Sequence, residues 1–185
     1  MNPHKCDHHH HHPSVPEGCY WRDYTGEIPK DAFPGGHDSN GQTTYIGQAY
    51  LADAGVVPAN LFRGQSGMYL ACNNKANYSD LAMKILCTSR PDSLAWVNTT
   101  AADLHLVTAG KELVIGGYHP RGNAKLLLNI GRVKHGGELI VGKVHEWKGN
   151  FSLNFVGDDT ELSAKSYQAL VVNSPNECCQ LQHTY

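Results

Sequence analysis

The 185-residue sequence has few charged residues and no long apolar run. Charged side chains make up 17% of the chain, and its formal net charge is only −2. A helical bundle carries more Glu, Lys and Ala than this, so the composition argues against that class of fold. No stretch approaches the roughly 18 consecutive apolar residues that a membrane-spanning helix needs. We therefore expect a protein without a membrane span.

Basic clusters and the common catalytic motifs are also missing. No run of Lys and Arg interleaved with aromatic residues is present, although such runs follow the phosphate backbone in nucleic-acid-binding proteins. We expect no nucleic-acid partner. The motifs G-x-S-x-G and H-E-x-x-H and the P-loop are absent as well. We therefore expect a protein that is not an enzyme and that uses no cofactor.

Residues 1–18 form a His-rich, Pro-containing segment that we expect to be disordered. The run His8 to His12 is either a natural tract or a purification tag. It lacks the Cys or carboxylate ligands that fix a tetrahedral geometry, so no structural metal site is expected. The segment also has no apolar core of the signal-peptide type, which favours a cytoplasmic protein. The six cysteines leave an extracellular, disulfide-bonded protein as the alternative.

Glycine, by contrast, is abundant, and it marks an internal repeat. The chain has 19 glycines, and the segment 29–38, which contains a Gly-Gly pair, is echoed by the segment 110–119. The pair Ile46-Gly47 is echoed in the same way by Ile130-Gly131. Internal duplication predicts two tandem structural units. We assign residues 19–90 to the first repeat, 91–172 to the second and 173–185 to a C-terminal tail.

Turn residues and short apolar runs predict that both repeats are β-structure. We interpret the Gly-Gly pairs at 35–36, 116–117 and 136–137, together with Asn40-Gly41, as turns. Phe151, Leu153 and Phe155 alternate with polar residues, which is the period of a half-buried strand. A helical turn remains the alternative at 80–86. The predicted strands are 43–51, 55–62, 68–72 and 81–87 in the first repeat and 125–133, 138–144, 151–155 and 167–172 in the second.

The segment from Trp21 to Asp38, followed by Tyr45-Ile46-Gly47-Gln48-Ala49, resembles the DM nine repeat family. The second repeat keeps related pieces, such as Ile130-Gly131-Arg132-Val133 and Val141-Gly142-Lys143-Val144. The resemblance covers roughly residues 20–172. It implies an all-β fold in which two tandem repeats, related by a pseudo-twofold axis, interlock into one compact antiparallel β-sandwich or barrel-like domain.

The same resemblance implies a ligand. Characterised family members include mannose-binding lectins of innate immunity, in which an Asp and a Lys of each repeat contact the sugar. The corresponding residues are Asp38 and Asn60 in the first repeat and His119 and Lys143 in the second. A carboxylate accepts hydrogen bonds from sugar hydroxyls, and an ammonium or amide donates to them. The pair of His119 and Lys143 lacks a carboxylate and suits an anionic group better.

Several alternatives stay open. Asp38 precedes Asn40-Gly41 and is also the kind of residue that closes an Asx turn. We expect the aromatic side chains of Tyr45, Tyr69, Trp147 and Tyr167 to pack within the fold rather than to stack on a sugar. Some family members are labelled methyltransferases, but no methyl-donor site is recognisable in this sequence. The alternative to a glycan-binding protein is a structural protein with degenerate sugar sites that self-associates, for instance as a homodimer.

Overall fold

The structure is a computed structural model, and it describes residues 18–173 of the chain. Over this range the chain forms fifteen strands and one short α-helix, which confirms the predicted all-β fold. Thirteen strands join one antiparallel sheet, and the other two pair with each other. The helix α1 is Leu104–Val107, and a 3-10 turn covers Pro91–Ser93. The strands are β1 (Cys19–Asp23), β2 (Pro34–His37), β3 (Thr43–Leu51), β4 (Gly55–Leu61), β5 (Met68–Cys72), β6 (Lys75–Ser79), β7 (Leu81–Thr88), β8 (Leu94–Thr100), β9 (Glu112–Leu113), β10 (Ile115–Arg121), β11 (Ala124–His135), β12 (Glu138–Trp147), β13 (Asn150–Gly157), β14 (Thr160–Ala164) and β15 (Ser166–Val172).

All eight strands expected from the sequence are present. Strands β3 and β5 have the predicted bounds. Strand β11 extends beyond its predicted bounds at both ends, and β12 extends beyond its predicted C-terminal end. Residues 81–88 form strand β7 and not the alternative helical turn. The alternation in β13 is also confirmed, because Leu153 and Phe155 are buried while Asn154 between them is partly exposed. The sequence did not indicate β1, β2, β6, β8, β9, β10 and β14.

The two repeats interlock through a reciprocal exchange of strands. Strand β2 of the first repeat pairs with β12 of the second, with His37 opposite Leu139. Strand β10 of the second repeat pairs with β4 of the first, with Tyr118 opposite Val56. Each repeat therefore completes the sheet of the other, as a pseudo-twofold relation requires.

Two glycines allow the repeats to approach this closely. A Cβ atom on Gly36 would lie 1.9 Å from the carbonyl oxygen of Leu139, and one on Gly117 would lie 2.1 Å from that of Val56. Both glycines lie inside strands, and neither has positive φ. The interpretation of the pairs 35–36 and 116–117 as turns is therefore wrong. They are needed for close contact between backbones, whereas Gly41, Gly136 and Gly137 do have the positive φ of turn residues.

Equivalent side chains of the two repeats also form hydrogen bonds across the interface. Gln48 Nε2 donates to the carbonyl oxygen of Gly116 at 2.9 Å. Arg132 Nη1 donates to the carbonyl oxygen of Gly35, also at 2.9 Å. The Arg132 guanidinium lies over the Trp96 ring, 4.2 Å from its centroid, and its burial lowers its pKa to about 10. Arg132 thus ties its own repeat to the first one through a partly buried cation.

The core consists of three clusters, and the central one belongs to both repeats. Ile46 and Leu86 of the first repeat pack there with Ile130 and Leu170 of the second. Trp21 and Trp96 pack against this cluster from equivalent strands, because Trp21 lies opposite Leu86 and Trp96 lies opposite Leu170. Of the other two clusters, one consists of first-repeat residues together with Leu128 of the second repeat, and the other lies within the second repeat. Burial of shared apolar surface is what holds the repeats as one body.

Both ends of the described range lie beside the link between the repeats. The hydroxyl of Thr88 donates to the carbonyl oxygen of Gly18. The amide of Asn173 donates to the carbonyl oxygen of Ser93 at 2.8 Å. The expectations for residues 1–17, including the His tract, and for the tail from 174 onward, including Cys178-Cys179, lie outside the described residues. No helix between residues 18 and 173 is long and apolar enough to cross a bilayer.

Candidate functional site

A cavity of about 450 Å³ lies between the repeats. This volume is within the range of about 300–1,000 Å³ that is usual for ligand pockets. Strands β4, β5 and β6 of the first repeat form one side, and β12, β13 and the turn after β13 form the other. Small and aliphatic residues line part of the wall, and its polar and aromatic lining consists of Asn60, Phe62, Gln65, Tyr69, Glu138, Asn154, Phe155, Asp158 and Asp159.

Asn60 brings a hydrogen-bond donor to this cavity. Its Oδ1 accepts from the hydroxyl of Thr44 at 3.1 Å and from the amide of Val141 at 3.3 Å. Both bonds use the same oxygen, so Nδ2 has no partner within residues 18–173. Gln65 repeats the pattern, because its Oε1 accepts from the amide of Phe62 at 3.1 Å. Two amide NH₂ groups are therefore held by their oxygens and free to donate.

Tyr69 supplies an aromatic face. The residue is 53% exposed, and its ring meets that of Tyr78 edge to face with centroids 5.6 Å apart. The two tyrosines are cross-strand partners in the β5–β6 pair. The expectation that the aromatic candidates pack within the fold is confirmed for Tyr167, which is 5% exposed and lies in the core of the second repeat. It is wrong for Trp147, which is 66% exposed, and for the half-exposed Tyr69.

The second repeat contributes carboxylates to the cavity wall. Glu138 begins β12, and Asp158 and Asp159 form the two-residue turn between β13 and β14. Asp158 Oδ2 pairs with His135 Nε2 at 3.0 Å. The turn touches its counterpart in the first repeat, because the hydroxyl of Thr160 donates to the carbonyl oxygen of Asn74 at 3.1 Å. This contact joins the β13–β14 hairpin of the second repeat to the β5–β6 hairpin of the first.

Asp38 does not line this cavity. Its Oδ1 accepts from the amides of Asn40 and Gln42, both at 2.9 Å. These bonds close an Asx-type turn between β2 and β3, which is the alternative that the sequence left open. Asp38 therefore stabilises its own turn, whereas Asn60 lines the cavity. The hydrogen bonds of these two residues have no partner in common.

His119 and Lys143, in contrast, are brought together. Lys143 Nζ lies 3.2 Å from His119 Nε2, and Lys143 is only 3% exposed. Burial lowers the pKa of both side chains, and Glu161 opposes the shift in each. His145 lies close by, with its ring centroid 6.3 Å from that of His119. Desolvation lowers the pKa of His145 as well, and Lys143 and His119 add to the effect.

This buried cluster contains two polar atoms that lack a partner. His145 Nδ1 and Glu161 Oε2 are buried and make no hydrogen bond within residues 18–173. The other oxygen of Glu161 accepts from Asn154 Nδ2 at 2.8 Å. No group of three or more His, Cys, Asp or Glu side chains among the described residues has the arrangement needed to hold a metal ion.

The buried cluster occupies the position in the second repeat that corresponds to the cavity in the first. Asn60 lies opposite Ile46 and Lys143 lies opposite Ile130, so the two residues are equivalent. The two-residue turns at 73–74 and 158–159 align the hairpins in the same way. Where the first repeat has Phe62, Tyr69 and Ala76, the second has His145, Asn154 and Glu161. In the second repeat these positions therefore carry polar side chains that form hydrogen bonds, Lys143 with His119 and Asn154 with Glu161.

Of the residues that line the cavity, sequence reasoning named Asn60 and Tyr69 and missed Gln65, Glu138, Asp158 and Asp159. His119 and Lys143, which it also named, lie in the buried cluster instead. Gln65 follows β4 in a loop, and Glu138 follows a Gly-Gly turn, so each has the pattern of an ordinary surface residue. Asp158 and Asp159 have the pattern of a turn. A signal was nevertheless present, because the alignment of the repeats places Asp158-Asp159 against Asn73-Asn74. The exchange of amides for carboxylates at equivalent turns indicates a difference in charge between the two hairpins.

Comparison with known proteins gives a match to a family model and matches to solved structures. The model of the DM9 repeat matches residues 38–163. No curated protein matches the chain. The crystal structure of the nematode sperm cell motility protein MFP2B superposes with a TM-score of 0.57 at 11% sequence identity, over 93% of this chain and 52% of that one. The chain thus spans about half the length of that protein, and at this identity the likeness concerns the fold alone.

Proposed function

The chain belongs to the DM9 repeat family, and we propose that it is a lectin-like module that binds a glycan of the mannose type without catalysing a reaction. The observation that carries the proposal is the cavity of about 450 Å³ between the repeats, with amide donors, carboxylate acceptors and an exposed aromatic ring in its wall. Such a wall matches a neutral polyol, because each hydroxyl both donates and accepts. In the organism, this activity would serve recognition of foreign glycans in innate immunity.

The orientation of the amides supports this assignment. The Oδ1 of Asn60 and the Oε1 of Gln65 are engaged by backbone or hydroxyl donors of the protein itself. Their NH₂ groups are therefore held in place before a ligand arrives, and little side-chain entropy is lost on binding. A hexose has an apolar C–H face and a hydroxyl rim. The exposed ring of Tyr69 offers the apolar face a surface, and the amides and carboxylates serve the rim.

One open site per chain follows from the difference between the repeats. The equivalent position in the second repeat holds Lys143, which is buried against His119. A ligand there would have to displace a charged side chain that is already paired. We therefore expect a stoichiometry of one glycan per chain, with the ligand in the cavity that Asn60 lines.

Isothermal titration calorimetry with methyl α-mannoside and a mannose oligosaccharide tests the proposal. Tyr69→Ala should weaken binding about tenfold, the loss expected for one well-packed aromatic contact. Tyr50→Ala is the matched control, because Tyr50 is a strand tyrosine that is 40% exposed and does not line the cavity. Asn60→Lys should abolish binding by filling the cavity with the side chain found in the second repeat. Absence of binding to any sugar on a glycan array would refute the proposed function.

A second candidate is a structural protein that associates with itself. The specific observation in its favour is a group of exposed apolar side chains around β7, in which Leu81 is 55% exposed and lies opposite Tyr50. Tyr78, in the neighbouring β5–β6 pair, is 51% exposed. Sedimentation velocity separates the two candidates. A stable dimer that Leu81→Ser dissociates, in a protein that binds no glycan, would favour the structural role.

A further inference from the structure

The two repeats contribute chemically different side chains to the cavity. Asn60, Gln65 and Tyr69 supply amides and an aromatic ring, and all three belong to the first repeat. Glu138, Asp158 and Asp159 supply carboxylates from the second repeat. A ligand that spans the cavity therefore meets neutral donors from one repeat and negative charge from the other.

The negative charge is poorly balanced. None of the described residues that line the cavity is Lys, Arg or His. Asp158 pairs with His135, which is charged only when it is protonated. Glu138 and Asp159 form no ion pair within the described part of the chain. Inside a concave site, such an excess concentrates the negative potential, which attracts cations and repels anions.

We propose that this cavity selects saccharides that carry a free amine, such as glucosamine oligomers, with the ammonium group at the carboxylates of the second repeat and a sugar ring against Tyr69. The inference rests on the proposed function and specifies its ligand further. An ammonium group has three donors and no acceptor, so it complements carboxylates that no other cation neutralises. Hydrogen bonds in which both partners are charged are roughly twice as strong as neutral ones.

The same reasoning predicts which glycans are rejected. N-acetylation converts the ammonium into a neutral amide and removes the ionic contact while the sugar ring stays the same. A neutral hexose retains the contacts with the amides and Tyr69, so it should still bind, but more weakly. Sialylated, sulfated or phosphorylated glycans bring a negative charge towards Glu138 and Asp159 and should be excluded.

The matched pair of ligands for the test is the glucosamine dimer and its di-N-acetylated form, titrated into the full chain by calorimetry. We expect the free amine to bind about tenfold tighter than the acetylated form, in line with one charge-assisted contact. Raising the salt concentration should reduce this difference, because exposed charges are screened. The double variant Glu138→Gln, Asp159→Asn should remove the preference, so that the glucosamine dimer and its di-N-acetylated form bind with the same affinity.

Asp92→Asn is the control variant, since Asp92 is an exposed carboxylate in the 3-10 turn away from the cavity, and the preference should survive it. Equal affinities for the two dimers would overturn the inference and leave the proposed function standing. If neither dimer nor any mannoside binds, both fail. Competition by spermidine as strong as by the glucosamine dimer would show attraction by charge alone and would also overturn the assignment to a saccharide.

Discussion

Replacement of either interface glycine by alanine should destabilise the protein, because backbone is packed against backbone at both. In Gly36→Ala the new Cβ would start 1.9 Å from the carbonyl oxygen of Leu139 and 2.8 Å from its carbonyl carbon. An ordinary C···O contact is about 3.3–3.6 Å, so β12 has to move away by more than about 1 Å. Overpacking of this kind costs about 1–3 kcal/mol.

The reciprocal exchange of strands makes the prediction symmetric. Gly117→Ala would place its Cβ 2.1 Å from the carbonyl oxygen of Val56, so its loss of unfolding free energy should be similar. For a protein of this size, each kcal/mol lowers the melting temperature by about 2–4 °C. Urea denaturation followed by tryptophan fluorescence and circular dichroism measures both quantities.

The control for this pair is Thr43→Ala, an exposed position opposite His37 on the neighbouring strand. Substitutions of this kind usually change stability by less than about 0.5 kcal/mol. The reasoning would be refuted if both glycine variants were as stable as the control. A loss in one glycine variant and none in the other would contradict the pseudo-twofold exchange itself.

Two further predictions concern stability. Burial lowers the pKa of His119 and His145 in the folded state, so the folded form binds protons less readily than the unfolded form. The stability that these two neutral histidines contribute is complete above the ordinary His pKa of about 6.5. It is lost as the pH falls below that value. Urea midpoints at pH 7.5 and 5.0 should therefore differ, and less so in the double variant His119→Gln, His145→Gln; an unchanged difference would contradict this cause. Tyr167→Phe removes the hydrogen bond from the Tyr167 hydroxyl to the carbonyl oxygen of Phe151, 2.6 Å long, and should cost about 1 kcal/mol in the same urea assay, whereas an unchanged midpoint would show that this buried bond contributes nothing.

Much of the fold could be predicted from the sequence, because buried and exposed side chains alternate along the strands that contain β-branched and aromatic residues. Strand β13, with Leu153 and Phe155 on its buried face, is an example. Strands β2 and β10 could not be found in this way. Their Gly-Gly pairs have the composition of turns. Glycine is required there because a Cβ atom would collide with a carbonyl oxygen of the other repeat. Such a need depends on residues far along the chain, which no local pattern contains.

The family resemblance named part of the candidate site, and the binding roles that it implies stay predictions. Asn60 lines the cavity, and Lys143 lies beside His119. Asp38, at the position equivalent to His119, is engaged by its own turn. The carboxylates of the second repeat reach the site only through the interlock. The selectivity proposed for the cavity therefore depends on the contact between repeats and not on either repeat alone.

The closeness of Gly18 and Asn173 to the 88–93 link has a consequence for chain connectivity. Both ends of the described range lie at the place where the backbone passes from one repeat to the other. A circular permutant that joins these ends through a short linker and opens within 88–93 would place the second repeat first. Because every pairing between strands is kept, we expect such a permutant to fold to the same shape. The fold would then not depend on the order of the two repeats along the chain.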